Sequence, residues 1–179
     1  MKVEYLKLLA AKSMSLEPSS KNHDAVLPED IAHYLGTKNL TSVEYDLLIA
    51  KYTENSYSRA MVADEIFEDA CEIFFKNVNI KDIERKRFLI RNFISLALRE
   101  IIETACPICG GKGFIAELDR IVKCVHCDNS GNFIYDDNNR SELMGFTKKD
   151  YSKYKKAYDN LLEKLQNIEI SALSKIGDT

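Results

Sequence analysis

Four of the five cysteines fall into two C-x-x-C pairs, Cys106 with Cys109 and Cys124 with Cys127, in the pattern C-x2-C-x14-C-x2-C. Each pair can present two thiolates to one tetrahedral ion at about 2.3 Å, and the spacing is close to that of four-thiolate zinc sites. A set of four thiolates leaves no open coordination position. Such an ion does not activate water and acts through folding energy alone. We therefore expect one structural Zn2+ on Cys106, Cys109, Cys124 and Cys127. Gly111 and Gly113, after the first pair, let backbone N–H groups approach sulfur without a Cβ clash. Asn129 and Gly131 hold the matching places after the second, and Asn tolerates the left-handed region better than other non-glycine residues. A redox dithiol pair and an iron–sulfur cluster draw on the same residues and stand as alternatives. His126, between Cys124 and Cys127, could compete as a ligand, but the cysteines already complete the set, so it is expected at the surface.

The elements that position these cysteines are mostly helical. Next to them, Phe114–Glu117 and Ile121–Lys123 read as a short hairpin turning at Leu118-Asp119-Arg120, and Asn132–Tyr135 could add a third strand. Upstream, Tyr5, Leu6, Leu8 and Leu9 recur at helical intervals in residues 3–13, and the polar SLEPSSKNHDAV reads as a loop. Pro28 and Gly36 bracket a short helix in PEDIAHYLG. Thr41 with Glu44 forms a capping box that opens SVEYDLLIAKY. Ser58 is expected to cap a helix from Arg59 to Lys76 that buries Val62, Ile66, Ala70, Ile73 and Phe74. Residues 81–105 form the central helix, with Leu89, Phe93, Leu96, Ala97 and Ile101 inward and Arg85, Arg87, Arg91 and Arg99 largely elsewhere. After the cysteines, YDDNNR marks a turn, and the chain reads as helix from Arg140 to Ile176 with one break at Gly145–Thr147.

These elements predict a mostly α protein, a helical bundle with a helix-turn-helix-like element and an inserted zinc-ribbon β-hairpin. The segments are a helical region at 1–105, the ribbon at 106–135, and C-terminal helices at 136–179 packing back on the helical body. At 179 residues and a net charge of −3, the chain can bury one sizeable core but does not suit a protein that coats nucleic acid unspecifically. Any nucleic-acid contact has to come from a local basic face. No run of about 18 apolar residues is present, and MKVEYLKLLAAKSM lacks the apolar core and cleavage site of a signal peptide, so an intracellular protein away from membranes is expected. In that reducing setting the paired cysteines point to metal, and Cys71, inside an apolar helical stretch, reads as core. There is no glycine-rich phosphate loop and no nucleophile with a base, and His23, His33 and His126 sit in unrelated segments. Neither an enzyme nor a small-molecule substrate is expected.

Downstream of the cysteines, RSELMGFTKKDYSKYKKAY has the order helix, glycine, apolar residue, hydroxyl residue, helix, which fits a DNA-binding helix-turn-helix. Gly145 supplies a positive φ, Phe146 plugs the angle, and Thr147 with Asp150 caps the second helix. Lys148, Lys149, Ser152, Lys153, Lys155 and Lys156 crowd its start. The same residues also read as the solvated, lysine-rich start of a long amphipathic helix whose core stripe is Tyr154, Tyr158, Leu161, Leu165 and Ile168. A second helix-turn-helix pattern lies in TSVEYDLLIAKYTENSYSRAMVADEI, turning at Asn55-Ser56. There Asp64, Glu65, Glu68 and Asp69 favour a protein contact over DNA.

From about Leu96 to Leu173, the order CPICGGKG, spacer, CVHCDNSG, then RSELMGFTKKDYSKYKKAYDNLLEKLQNIEISAL resembles the late-gene antitermination protein Q family of lambdoid bacteriophages. The matching positions are Gly145, Thr147, Tyr151, Lys153 and Glu169 with Ala172. The chain departs from the family at Tyr151 and Tyr154, where Trp is usual, and at Asn129, where Gly is usual. The resemblance implies a zinc-containing regulator in the cytoplasm of a bacterial host. Such a factor binds promoter-proximal DNA and a paused, σ-containing RNA polymerase, which then reads through terminators of late genes. Lys148, Lys149, Ser152 and Lys153 are then expected to face DNA, with Arg120, Lys123 and Arg140 available for phosphates. CPICGGKG also looks like the C-x-x-C-x-G-x-G knuckle of the DnaJ cysteine-rich chaperone domain, but that domain has four knuckles and this chain two. A helical interaction adaptor that uses zinc only to pin a loop is the remaining alternative.

Overall fold

The computed structural model describes residues 28–77, 82–106, 108–117, 120–133 and 135–177. The helix expected at residues 3–13 and the loop after it lie outside these. Among the described residues the helices are α1 (Pro28–Gly36), α2 (Ser42–Thr53), α3 (Ser56–Glu65), α4 (Phe67–Asn77), α5 (Ile83–Ile102), α6 (Asp137–Leu143), α7 (Lys148–Ser152) and α8 (Lys155–Gly177). One antiparallel hairpin, β1 (Phe114–Glu117) and β2 (Arg120–Lys123), stands between α5 and α6. The chain is thus mostly helical with a small inserted sheet. It divides into two compact units that cut across the segments drawn from sequence: residues 1–66 with 163–179, and residues 67–162.

In the first unit, Ile31 and Leu35 of α1, Leu48 and Ile49 of α2, and Ala172 and Ile176 of α8 form one buried cluster. The capping box at the start of α2 is present as expected. The Thr41 hydroxyl accepts the Glu44 amide, and the Glu44 carboxylate accepts the Thr41 amide at 2.7 Å. Glu44 does more than cap. Only 5% exposed, it also accepts Lys175 Nζ at 2.6 and 2.9 Å and Ser171 Oγ at 2.7 Å, tying α2 to α8 across the core edge. A second pair, Lys51 with Glu169 at 2.5 Å, repeats the tie one helical turn or more away.

The helix expected from Arg59 to Lys76 is two helices. Asn55, not Ser58, is the cap of α3: its side chain accepts the Ser58 amide at 3.1 Å, and Ser58 itself is buried. Both residue types cap helices, and the left-handed Glu54 (φ 54°) that closes α2 places Asn55 first in line. The break falls at Ile66, where Asp64, Glu65, Glu68 and Asp69 would set two like-charged pairs at four-residue spacing, which weakens a continuous helix. Most of the expected apolar stripe is buried regardless, with Val62, Ile66, Ala70 and Phe74 at 2% exposure or less, while Ile73 is half-buried.

In the second unit the hub is Phe93 of α5. Its ring centroid lies 5.0 Å from Phe74, 5.6 Å from Tyr154, 5.7 Å from Tyr158, 6.1 Å from Phe146 and 6.5 Å from Tyr151. Cys71 is buried as expected, and burial pushes its thiol up. YDDNNR is not simply a turn: Asp136 accepts the Asn139 amide at 2.7 Å and starts α6 at Asp137, ahead of the expected Arg140. Gly145 (φ 66°) makes the turn after α6, and Thr147 caps α7 by accepting the Asp150 amide at 3.1 Å, both as expected. A further break appears at Lys153–Tyr154, where the Lys153 and Tyr154 amides bond three residues back. That tightening lets Tyr151, Tyr154 and Tyr158 all reach Phe93.

Burial works against the Glu44 carboxylate, but Lys175, Ser171 and the two Thr41 donors outweigh it and hold the group at about 2, below its ordinary 4.5. Its stabilising contribution is therefore complete above about pH 4.5 and lost as the pH falls towards 2. Glu44→Gln is expected to cost about 1–3 kcal/mol in urea unfolding at neutral pH. The gap between wild type and variant is expected to close as unfolding is repeated at successively lower pH across that window; a gap independent of pH would refute the assigned role.

Candidate metal centre

The four cysteines arrive from two copies of one backbone motif. After α5 ends at Ile102, Thr104 and Ala105 lead into the first knuckle, and β2 leads into the second. In each knuckle the fifth residue after the first cysteine returns its amide to that cysteine's carbonyl, Gly111 to Cys106 at 3.2 Å and Asn129 to Cys124 at 3.1 Å. The next residue does the same to the second cysteine, Lys112 to Cys109 at 3.1 Å and Ser130 to Cys127 at 2.9 Å. Positive φ angles fall at matching places: Gly110 and Asp128, Gly111 and Asn129, Gly113 and Gly131. Asn129 (φ 63°) therefore takes the left-handed role expected of it. Asp128 (φ 46°) was not singled out from the sequence; its place opposite Gly110 was the available signal.

The two knuckles also close on each other reciprocally. The Cys106 amide donates to the Gly131 carbonyl at 2.8 Å, and the Cys124 amide to the Gly113 carbonyl at 2.9 Å. The flanking strands keep this two-fold relation: Phe114 pairs with Lys123 in the hairpin, and Asn132 pairs with Ala105 in a single bridge. Of the third strand expected at Asn132–Tyr135, the described residues show that single bridge. The contact is close enough to require glycine. A Cβ on Gly113 would lie 2.5 Å from the Asn129 carbonyl oxygen, and one on Gly131 would lie 2.2 Å from that of Gly111.

This closure brings the four sulfurs together. They all lie within 4.8 Å of one another and are buried, with Cys106 to Cys124 at 3.9 Å and Cys109 to Cys127 at 3.7 Å. Four sulfurs about 2.3 Å from one tetrahedral ion sit about 3.8 Å apart, close to these two distances, so the set could hold a metal ion. Burial opposes ionisation of these thiols. For Cys109 the Gly113 amide, 3.2 Å from Sγ, offsets burial and brings the thiol down to about 7. For Cys127 burial, together with hydrogen bonds that its thiol donates to the other three sulfurs, pushes it up to about 11. A bound cation has to displace these protons, so the site weakens as acid is added. Ile115 covers the cluster from β1, and His126 is exposed, as expected for a residue outside the ligand set.

The cationic residues singled out from the sequence divide between two settings. Lys148, Lys149, Ser152 and Lys153 are exposed on and just after α7, and Arg120 and Lys123 are exposed on β2. Lys153 pairs with Asp150 at 2.6 Å, and Lys155 with Asp137 at 2.7 Å and Asp159 at 3.5 Å. Arg140 must be corrected. Its side chain is 12% exposed, its guanidinium donates to both oxygens of Glu100 at 2.5 and 3.0 Å, and it lies over the Tyr158 ring, whose hydroxyl donates to the same carboxylate at 2.8 Å. It is a strut joining α5, α6 and α8, not a phosphate ligand; a polar helix position next to a turn gave no sign of the partner 40 residues away.

Comparison with protein-family models, curated proteins and solved structures finds no match to this chain.

Gly131→Ala is expected to weaken metal binding about 10- to 100-fold in a chelator competition, because its methyl group collides with the opposite knuckle. Asn129→Gly, which only relaxes a left-handed residue, is expected to bind at least as tightly as wild type. Equal affinities for wild type and Gly131→Ala would mean that the knuckles do not close as described.

Proposed function

We propose that the chain is a phage transcription antitermination factor. It holds one structural zinc ion on Cys106, Cys109, Cys124 and Cys127, touches promoter-proximal DNA, and engages a σ-containing bacterial RNA polymerase that then reads through terminators of late genes. The observation that carries this reading is the order of parts: a four-cysteine cluster, then α6, a glycine turn and α7, with Lys148, Lys149 and Ser152 exposed on it and Lys153 just after it. In the proposal, α6 and α7 act as the helix-turn-helix, with Phe146 fixing the turn against Phe93 and Tyr154. α7 is short, so its lysines supply mainly phosphate contacts and register, and the polymerase supplies the rest of the affinity. A net charge of −3 suits a factor with one local DNA face and a larger protein interface.

One observation favours a second reading, a zinc-pinned adaptor that binds only protein. Ile108, Ile121 and Val125 on the ribbon are 52%, 73% and 85% exposed, and Lys153 and Lys155 are already matched by carboxylates of their own chain. The readings separate in a gel-shift with the cognate late promoter, with and without holoenzyme. Replacing Lys148, Lys149 and Lys153 together by Ala is expected to lower affinity at least tenfold and to flatten the salt dependence by roughly 2 to 3 in logarithmic slope. Unchanged DNA binding would remove the lysines from the interface, and no promoter retention by wild type, even with holoenzyme, would favour the adaptor.

A further inference from the structure

The outer face of α5 carries a cationic surface that neither the core nor the metal centre uses. Phe88, Arg91, Ser95 and Arg99 follow at three- and four-residue steps and so share one side of the helix, with Arg87 beside them. All are exposed, while Ile90, Phe93, Ile94 and Ala97 of the same helix are buried. Phe88 leaves 67% of its surface in water between two arginines, which core packing does not explain. From Arg87 to Arg99 the face runs for about 18 Å.

Its composition narrows what it can bind. Every exposed cation on α5 is arginine; the one lysine, Lys86, is buried over the Phe75 ring. Arginine offers a planar fork to phosphate and stacks on flat rings, where lysine offers a point charge. Arg91 already lies over the Phe67 ring, its Cζ 4.5 Å from the centroid. Acidic groups also stand along this face. Glu84 stands at its start, Glu103 pairs with Arg99 at 2.9 Å at its end, and Glu68 of α4 lies near Cys71 together with Arg87 and Arg91. Arg99 lines a groove of about 310 Å³ together with Asn92, Ser95 and Leu96 of α5 and Leu143 and Met144 at the end of α6.

We infer that this face of α5 binds single-stranded nucleic acid. The arginines take successive phosphates, Phe88 stacks on an unpaired base, and the groove receives a neighbouring nucleotide against Asn92 and Ser95. An exposed aromatic ring between phosphate-binding cations selects unpaired bases, because a duplex keeps its ring faces stacked inside. The inference stands apart from the lysines of α7 and from the antitermination reading.

The test is fluorescence anisotropy on the full zinc-loaded chain with labelled oligo-dT and oligo-U of about 15 nucleotides, and a duplex of equal length. At about 50 mM salt, wild type is expected to bind either or both single strands more tightly than the duplex. Phe88→Ala is expected to weaken that binding about tenfold or more, and Arg87→Ala to reduce the salt slope by about 0.7. Both residues are exposed, so unchanged melting curves exclude unfolding as the cause. The variant lacking Lys148, Lys149 and Lys153 is expected to bind the single strands as wild type does, which keeps this surface distinct from the promoter contact. Absence of single-strand binding by wild type, equal binding by Phe88→Ala and Arg87→Ala, or a duplex preference indifferent to Phe88 would each overturn the inference.

Discussion

The second unit depends on the reciprocal closure of two cysteine knuckles. Each terminal glycine carbonyl accepts the amide of the opposite knuckle's first cysteine, and each glycine lacks the Cβ that would hold the backbones apart. That contact sets the sulfur positions, pairs the strands on either side, and delivers the chain from the end of α5 to the start of α6. Two loops of this size have little apolar surface with which to oppose their conformational entropy. The four cysteines are buried together between these loops, and a cation held by four thiolates would supply that free energy.

Polar struts do comparable work within each helical unit. Glu44 is at once a cap for α2 and a buried anion for Lys175 and Ser171, and Glu100 receives both Arg140 and Tyr158. In both, one carboxylate accepts several donors from elsewhere in the chain, so removing the acid strands the partners and costs more than one hydrogen bond. The aromatic cluster around Phe93 completes the second unit, and the extra break at Lys153–Tyr154 is what that cluster demands of the chain.

Much of this was legible in the sequence where local chemistry decides it. The capping box of Thr41 and Glu44, the positive φ of Gly145 and Asn129, the hairpin, and the convergence of four cysteines all follow from residue type and spacing. The misreadings arose where two residues compete for one role or a distant partner intervenes. Asn55 outcompetes Ser58 as a cap, Asp136 starts a helix in a stretch that reads as a turn, and Glu100 recruits Arg140 away from solvent. Glu44's contacts with Ser171 and Lys175 were illegible for the same reason: the partners lie 127 and 131 residues away. The exposed arginines of α5 were visible as a non-core face, but only burial reveals that Phe88 stands in water among them.

The most direct test of the account is the metal content of the full chain purified without added zinc, measured by mass spectrometry beside a Cys124→Ser variant. One zinc per chain in the wild type, lost in the variant while most helical circular dichroism persists, is the predicted result. No bound metal, two ions per chain, or retention of zinc without Cys124 would contradict a single four-thiolate centre.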